Sequence, residues 1–186
     1  GYNIQYCADG CRPTRTTPYF HSSSVRPFDD FGIRPAMMLA ANSFKQAKQV
    51  IDRGVKSDGT LPMGKMVLLA TSDKSRSVRE VFYEDMEKQF SGQFEVHSLK
   101  KDAIKNTSGI LFYFTGVKHV KHLESLQFLP GALADHLTSA GGKLTNSNQM
   151  SAMRWLEAGA TASYGTALEP CNFLQKFPHP GLLAWH

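Results

Sequence analysis

The sequence predicts an α/β fold, a mostly parallel sheet flanked by helices and preceded by an irregular N-terminal arm. Three observations predict it. Residues 66–70 form a continuous apolar run, the pattern of a strand buried on both faces. Val78, Val81, Phe82, Met86 and Phe90 recur at helical spacing within residues 75–90. Runs and stripes of these two kinds then alternate from residue 36 onward, an order that right-handed crossovers turn into parallel strands.

Residues 1–35 read as the arm, because Pro13, Pro18 and Pro27 remove donors and restrict their neighbours. Its aromatics, Tyr2, Tyr6, Tyr19, Phe20, Phe28 and Phe31, are too many for a solvated linker and place it across the domain surface. Residues 36–186 form the expected single α/β domain. A short apolar strand over 36–41 leads through Asn42 and Ser43, an N-cap, into a helix carrying Phe44, Ala47, Val50 and Ile51 and stopped by Gly54. A strand over 65–71 and the helix over 75–90 make a second βα unit. Strands follow at 94–99, 109–114 and 131–137, the last with a polar end. Asn148 caps a helix with Met150, Met153 and Leu156, Gly159 ends it, and 160–164 return as a strand.

Composition limits the function classes. The 186 residues are 41% hydrophobic and 20% charged, ordinary values for a globular chain. No stretch approaches the roughly 18 apolar residues a membrane span needs. The net charge of +5 is scattered rather than gathered into a run that tracks phosphates, so nucleic acid is not an expected partner. Other proteins or further copies of the chain are. Cys7 and Cys11 flank a turn-rich triplet that would close a short disulfide in an oxidising compartment; two free thiols are the alternative. Gly1 in place of an initiator Met points to a processed N-terminus after removal of a signal peptide, hence to export. The apolar stretch ending at His186 points to a natural chain that continues.

Chemistry is expected outside the carboxyl ends of the strands, where helix N-termini and βα loops converge. Thr115 and Gly116, then Asp135, His136 and Thr138, then Tyr164, Gly165, Thr166 and Glu169 stand at such ends and are the expected ligand-binding rim. His136 with Asp135 has the residue types for acid–base work, and Cys171 is a nucleophile candidate or a buried small hydrophobe. No phosphate loop, GxGxxG, GxSxG, HExxH or paired CxxC occurs, so neither a cofactor nor a metal is expected.

Residues 113–116, 130–139 and above all 159–166 with Glu169, Pro170, Cys171 and Asn172, running on through 175–181, resemble a family of uncharacterised exported bacterial proteins. The helix-to-strand step over 154–160 is more distantly similar to the caspase-like and gingipain-like fold. That likeness implies a three-layer sandwich and puts Thr115-Gly116 where those peptidases carry His-Gly, and Asp135-His136 where they carry Cys. Neither half of the dyad matches, so the resemblance implies a non-peptidase relative acting in binding or as a structural component of an assembly, in the periplasm or outside the cell. The rival expectation is a hydrolase of non-standard design, with His136 as base, Asp135 orienting it, and Cys171 or a hydroxyl as nucleophile.

Overall fold

The computed structural model describes residues 11, 16, 18, 19, 22–34 and 37–185. Its centre is a sheet of four strands, β1 (Lys65–Leu69), β2 (Glu95–Leu99), β3 (Thr107–Thr115) and β4 (Leu126–His136), all parallel and ordered β2-β1-β3-β4. Parallel neighbours need crossovers. From β1 to β2 the chain crosses through a 3-10 turn (Val78–Phe82) and α3 (Tyr83–Phe90). The other helices are α1 (Pro27–Phe31), α2 (Phe44–Ser57), α4 (Met153–Ala158) and α5 (Pro180–Trp185). The α/β fold expected from the sequence is the one observed. No helix among the described residues is long and apolar enough to cross a membrane.

Both faces of the sheet are covered, which is why the strands read as continuous apolar runs. On one face Val67, Leu69, Tyr113 and Ala134 pack with Trp155 of α4. On the other Met66, Leu68 and Phe114 pack with Tyr83, Met86 and Phe90 of α3 and Ala184 of α5. A bulge between Ile110 and Phe112 resets the alternation, so Leu111 and Phe112 both face α3. Along α2, Ser43 caps the first turn by accepting from Gln46 N, as expected, and the helix runs past Gly54 to Ser57. Arg53 Nη2 donates to the carbonyls of Leu156 (3.0 Å) and Ala160 (2.9 Å), tying α2 to the last turn of α4 and the residue after its cap.

Several expectations are corrected. Residues 37–41 form no strand; Met37, Met38 and Leu39 are exposed, Ala36 lies outside the described residues, and an apolar run without an edge to pair with stays irregular. Val81 is exposed, because the segment opens as a 3-10 turn that shifts the phase. The stripe that is buried is Arg79, Tyr83, Met86 and Phe90. β4 starts at Leu126, with Pro130 and Gly131 inside it. As an edge strand it tolerates the missing donor, and Gly131 takes a φ of +84°. Residues 160–164 make only an isolated bridge, Leu133 to Ala162. α4 begins at Met153, so Asn148 is no cap, while Gly159 at φ +113° does end it.

Cys11 is bonded to Cys171, their Cα atoms 5.1 Å apart, and not to Cys7, which lies outside the described residues together with Tyr2, Tyr6 and Phe20 of the arm. The short-loop pairing gives way because the fold brings position 171 within disulfide reach of Cys11.

At the end of β3 the loop after β1 closes onto Gly116. A Cβ there would stand 1.9 Å from the Arg76 carbonyl oxygen and 2.8 Å from Ser77 N, both backbone atoms that cannot move aside alone. Gly116→Ala is therefore expected to cost about 3 kcal/mol or more. Gly92→Ala, where nothing lies within 4 Å, should stay within about 1 kcal/mol of wild type. Urea unfolding of the two variants checks the contrast.

Candidate functional site

The pleat of β4 separates the two residues expected to work together. Neighbouring side chains on a strand point to opposite faces. Asp135 therefore joins Leu133 on the α3 side, and His136 joins Ala134 on the α4 side.

On the α3 side, Arg79 from the 3-10 turn grips Asp135 in a two-pronged ion pair. Nη1 donates to Oδ2 at 3.0 Å and Nη2 to Oδ1. Nη2 also donates to the Thr115 carbonyl at 3.1 Å, so one guanidinium ties the turn to the ends of both β3 and β4. Arg79 and Asp135 are 2% and 1% exposed, deep enough that the unpaired forms would be costly. Burial opposes the guanidinium charge, and the facing Asp135 carboxylate more than offsets it, holding the pKa above its ordinary value.

On the α4 side, His136 is held at both ring nitrogens. Trp155 Nε1 can only donate and lies 3.0 Å from Nδ1, so Nδ1 accepts and the proton sits on Nε2. Nε2 then donates to the Met150 carbonyl at 3.0 Å. Burial pushes the ring pKa down to about 4, against an opposing pull from the Asp135 charge. His136 is thus a neutral, fully bonded core group near neutral pH. Asp135 does not orient it, since that carboxylate is engaged across the sheet.

The remaining expected rim residues are brought together, but most are packed shut. Thr115 is buried, its Oγ1 without a hydrogen-bond partner, and Gly116 lies under the Arg76 backbone. Thr71 Oγ1 donates to the Gly116 carbonyl at 2.6 Å, filling the point between β1 and β3 where the strand order reverses and where a crevice is ordinarily open. Arg76 is paired with Asp73 and donates from Nε to Thr138 Oγ1, which in turn donates to Gln149 Oε1. Thr166 Oγ1 donates to the carbonyls of Thr138 and Ser139 at 2.9 and 3.0 Å. Gly165 presses backbone to backbone on Gly141 and Gly142, so close that a Cβ would meet Gly142 N at 2.3 Å. The Gly-Gly segment is thereby a packing element rather than a phosphate cradle.

Open space lies elsewhere. Tyr164, Gly165 and Thr166 line a cleft of about 310 Å3 with Leu168, Pro170 and Lys176. Tyr164 donates from its hydroxyl to the Lys176 carbonyl; burial raises its pKa, with a smaller push from Asp135. Glu169 lines a separate cleft of about 400 Å3 and accepts from Cys171 N. A roomier cleft of about 710 Å3 sits over the ends of β1 and β2, between Glu80 and Glu87 on one side and Lys100 and Lys101 on the other. Thr71 and Ser72, a polar strand end of the kind where the sequence reading expects a crevice, line it as well. Cys171, its sulfur in the disulfide, has no thiolate to offer, which removes it as a nucleophile. Among the described residues no three His, Cys, Asp or Glu side chains gather as a metal site.

Two groups that define the site were missed, Arg79 and Trp155. Arg79 was legible: it stands at i relative to Tyr83, Met86 and Phe90 at i+4, i+7 and i+11, a charge written into the buried stripe. Trp155 gave no such signal.

Compared with known families, with curated proteins and with solved structures, the chain matches none.

Two outcomes follow from the geometry. Asp135→Ala leaves Arg79 charged and buried and is expected to cost about 3–5 kcal/mol, whereas Arg79→Met with Asp135→Leu should regain most of it, read by urea unfolding of the two variants. Below the unfolded His pKa of about 6.5 the unfolded chain takes up a proton that the folded His136 refuses until about 4. Stability should hold above that window and fall through it by about 3 kcal/mol as the pH drops. In His136→Gln the slope should flatten.

Proposed function

We propose that the chain is an exported α/β domain that works by binding or as a structural component of an assembly, a relative of caspase-like proteins without their chemistry. The observation that carries this reading is the bonding of His136, whose Nδ1 lone pair and Nε2 proton are both committed inside the fold. A general base needs a free lone pair within reach of the proton it takes. Asp135, spent on Arg79, and Cys171, spent on Cys11, point the same way.

The remote likeness to caspase- and gingipain-like proteins agrees with this reading. Thr115-Gly116 and Asp135-His136 end the adjacent strands β3 and β4, the places where such a peptidase would hold its imidazole and thiolate. Membership in the exported bacterial family that residues 159–172 resemble would set the protein in the periplasm or outside the cell. The Cys11–Cys171 disulfide supports that placement, since such bonds persist in oxidising compartments. The hydrolase alternative draws no support from the same groups, because its base and orienting carboxylate face opposite sides of the sheet.

The test is to treat the intact oxidised protein with fluorophosphonate and haloacetamide probes and with panels of peptide and ester substrates. The expected result is no turnover and no alkylation of Cys11 or Cys171. Covalent labelling of a hydroxyl at the strand ends, or turnover lost in a folded His136→Gln variant, would overturn the reading.

A further inference from the structure

α2 has one more apolar face than the domain uses. Its packed side carries Ala47, Val50, Arg53 and Gly54, all partly covered against β4 and the end of α4. Beside it runs a second stripe, Phe44, Ile51 and Val55, at i, i+7 and i+11, exposed to 88%, 49% and 71%. Leu39 before the helix and Leu61 after it, 53% and 92% exposed, extend the uncovered surface at both ends. Scattered apolar side chains are ordinary on a surface, but a continuous stripe marks an interface.

We propose that this stripe is a dimer interface in which α2 packs antiparallel against α2 of a second copy of the chain. An isologous contact requires a patch that complements itself under a two-fold rotation, and the charges that flank the stripe do so. Lys48 and Asp52 lie along one side of it, 2.7 Å apart in the single chain. A two-fold axis at the level of Val50 sets Lys48 of each copy opposite Asp52 of the other, because an antiparallel pair brings the same flanks of the two helices together. The same axis lays Phe44 of one helix beside Val55 of the other and joins the apolar residues before one helix to those after its mate. A parallel pairing would instead turn the flank that carries Lys48 and Asp52 toward the opposite flank of the mate, that of Ala47 and Gly54, which offers neither charge a counterpart. The antiparallel pair names the partner in the assembly reading given above and rests on that reading only there.

Sedimentation velocity of the intact oxidised chain over a concentration series tests the pairing. A reversible monomer–dimer equilibrium is expected, abolished by Val55→Glu. Lys48→Asp and Asp52→Lys alone should each weaken dimerisation about tenfold, and the two together should restore it, since the reversed charges again face their opposites. All three substituted side chains are exposed, and far-ultraviolet circular dichroism verifies the fold of each variant. A chain that stays monomeric overturns the pairing while leaving the non-catalytic reading untouched. A dimer indifferent to the charge exchange overturns it equally, as does a monomer in which Val55→Glu exposes the N-terminal arm to protease, which would make the chain's own arm the occupant.

Discussion

A carboxylate at the inner end of an apolar strand must be paired or lose its charge, and the pairing of Asp135 with Arg79 is the constraint around which the upper edge of the sheet is arranged. The pair draws the 3-10 turn after β1 down onto the ends of β3 and β4, fixing a crossover against two strands that are distant in sequence. Its net contribution to stability is modest, because taking two charges out of water offsets most of what their attraction returns. What it supplies is geometry. The register of the turn that satisfies the carboxylate and the Thr115 carbonyl together also brings Tyr83, Met86 and Phe90 over the sheet.

The opposite face obeys the same logic with neutral groups. His136 is bonded to Trp155 and to the Met150 backbone, so the end of β4 is joined to α4 and to the segment that precedes it. The period of two along β4 thus assigns one polar residue to each covering layer. Two side chains that stand together in sequence as a catalytic pair become two separate bonds in space, and the rim that a ligand would otherwise enter is occupied by Thr71, Gly116 and the Arg76 backbone.

The parts legible in sequence were those governed by local pattern. Met66, Val67, Leu68 and Leu69 announce a doubly buried strand without help from the rest of the chain, and Gly159 announces the end of a helix. Phase and partner choice were not legible. Val78, Val81 and Phe82 imitate an α-helical stripe that outweighs the one local sign against it, Arg79 at the spacing of Tyr83, Met86 and Phe90, and no periodic pattern announces the 3-10 turn. Proximity in sequence favoured Cys7 for Cys11, whereas the bond made spans 160 residues and depends on the folded loop around Cys171. The rim residues were found as a neighbourhood, with Thr138 and Thr166 in contact as expected, but their burial follows from loops whose packing on Gly116, Gly142 and Gly165 has no periodic signature.

The commitment of His136 to internal bonds is the centre of this account, and nitrogen-15 chemical shifts of its ring measure it directly. The account predicts a neutral ring protonated at Nε2, unchanged from pH 8 down to about 5, with an Nε2 proton that exchanges slowly with water. A ring that titrates near 6.5 with a rapidly exchanging proton, or one protonated at Nδ1, would contradict it.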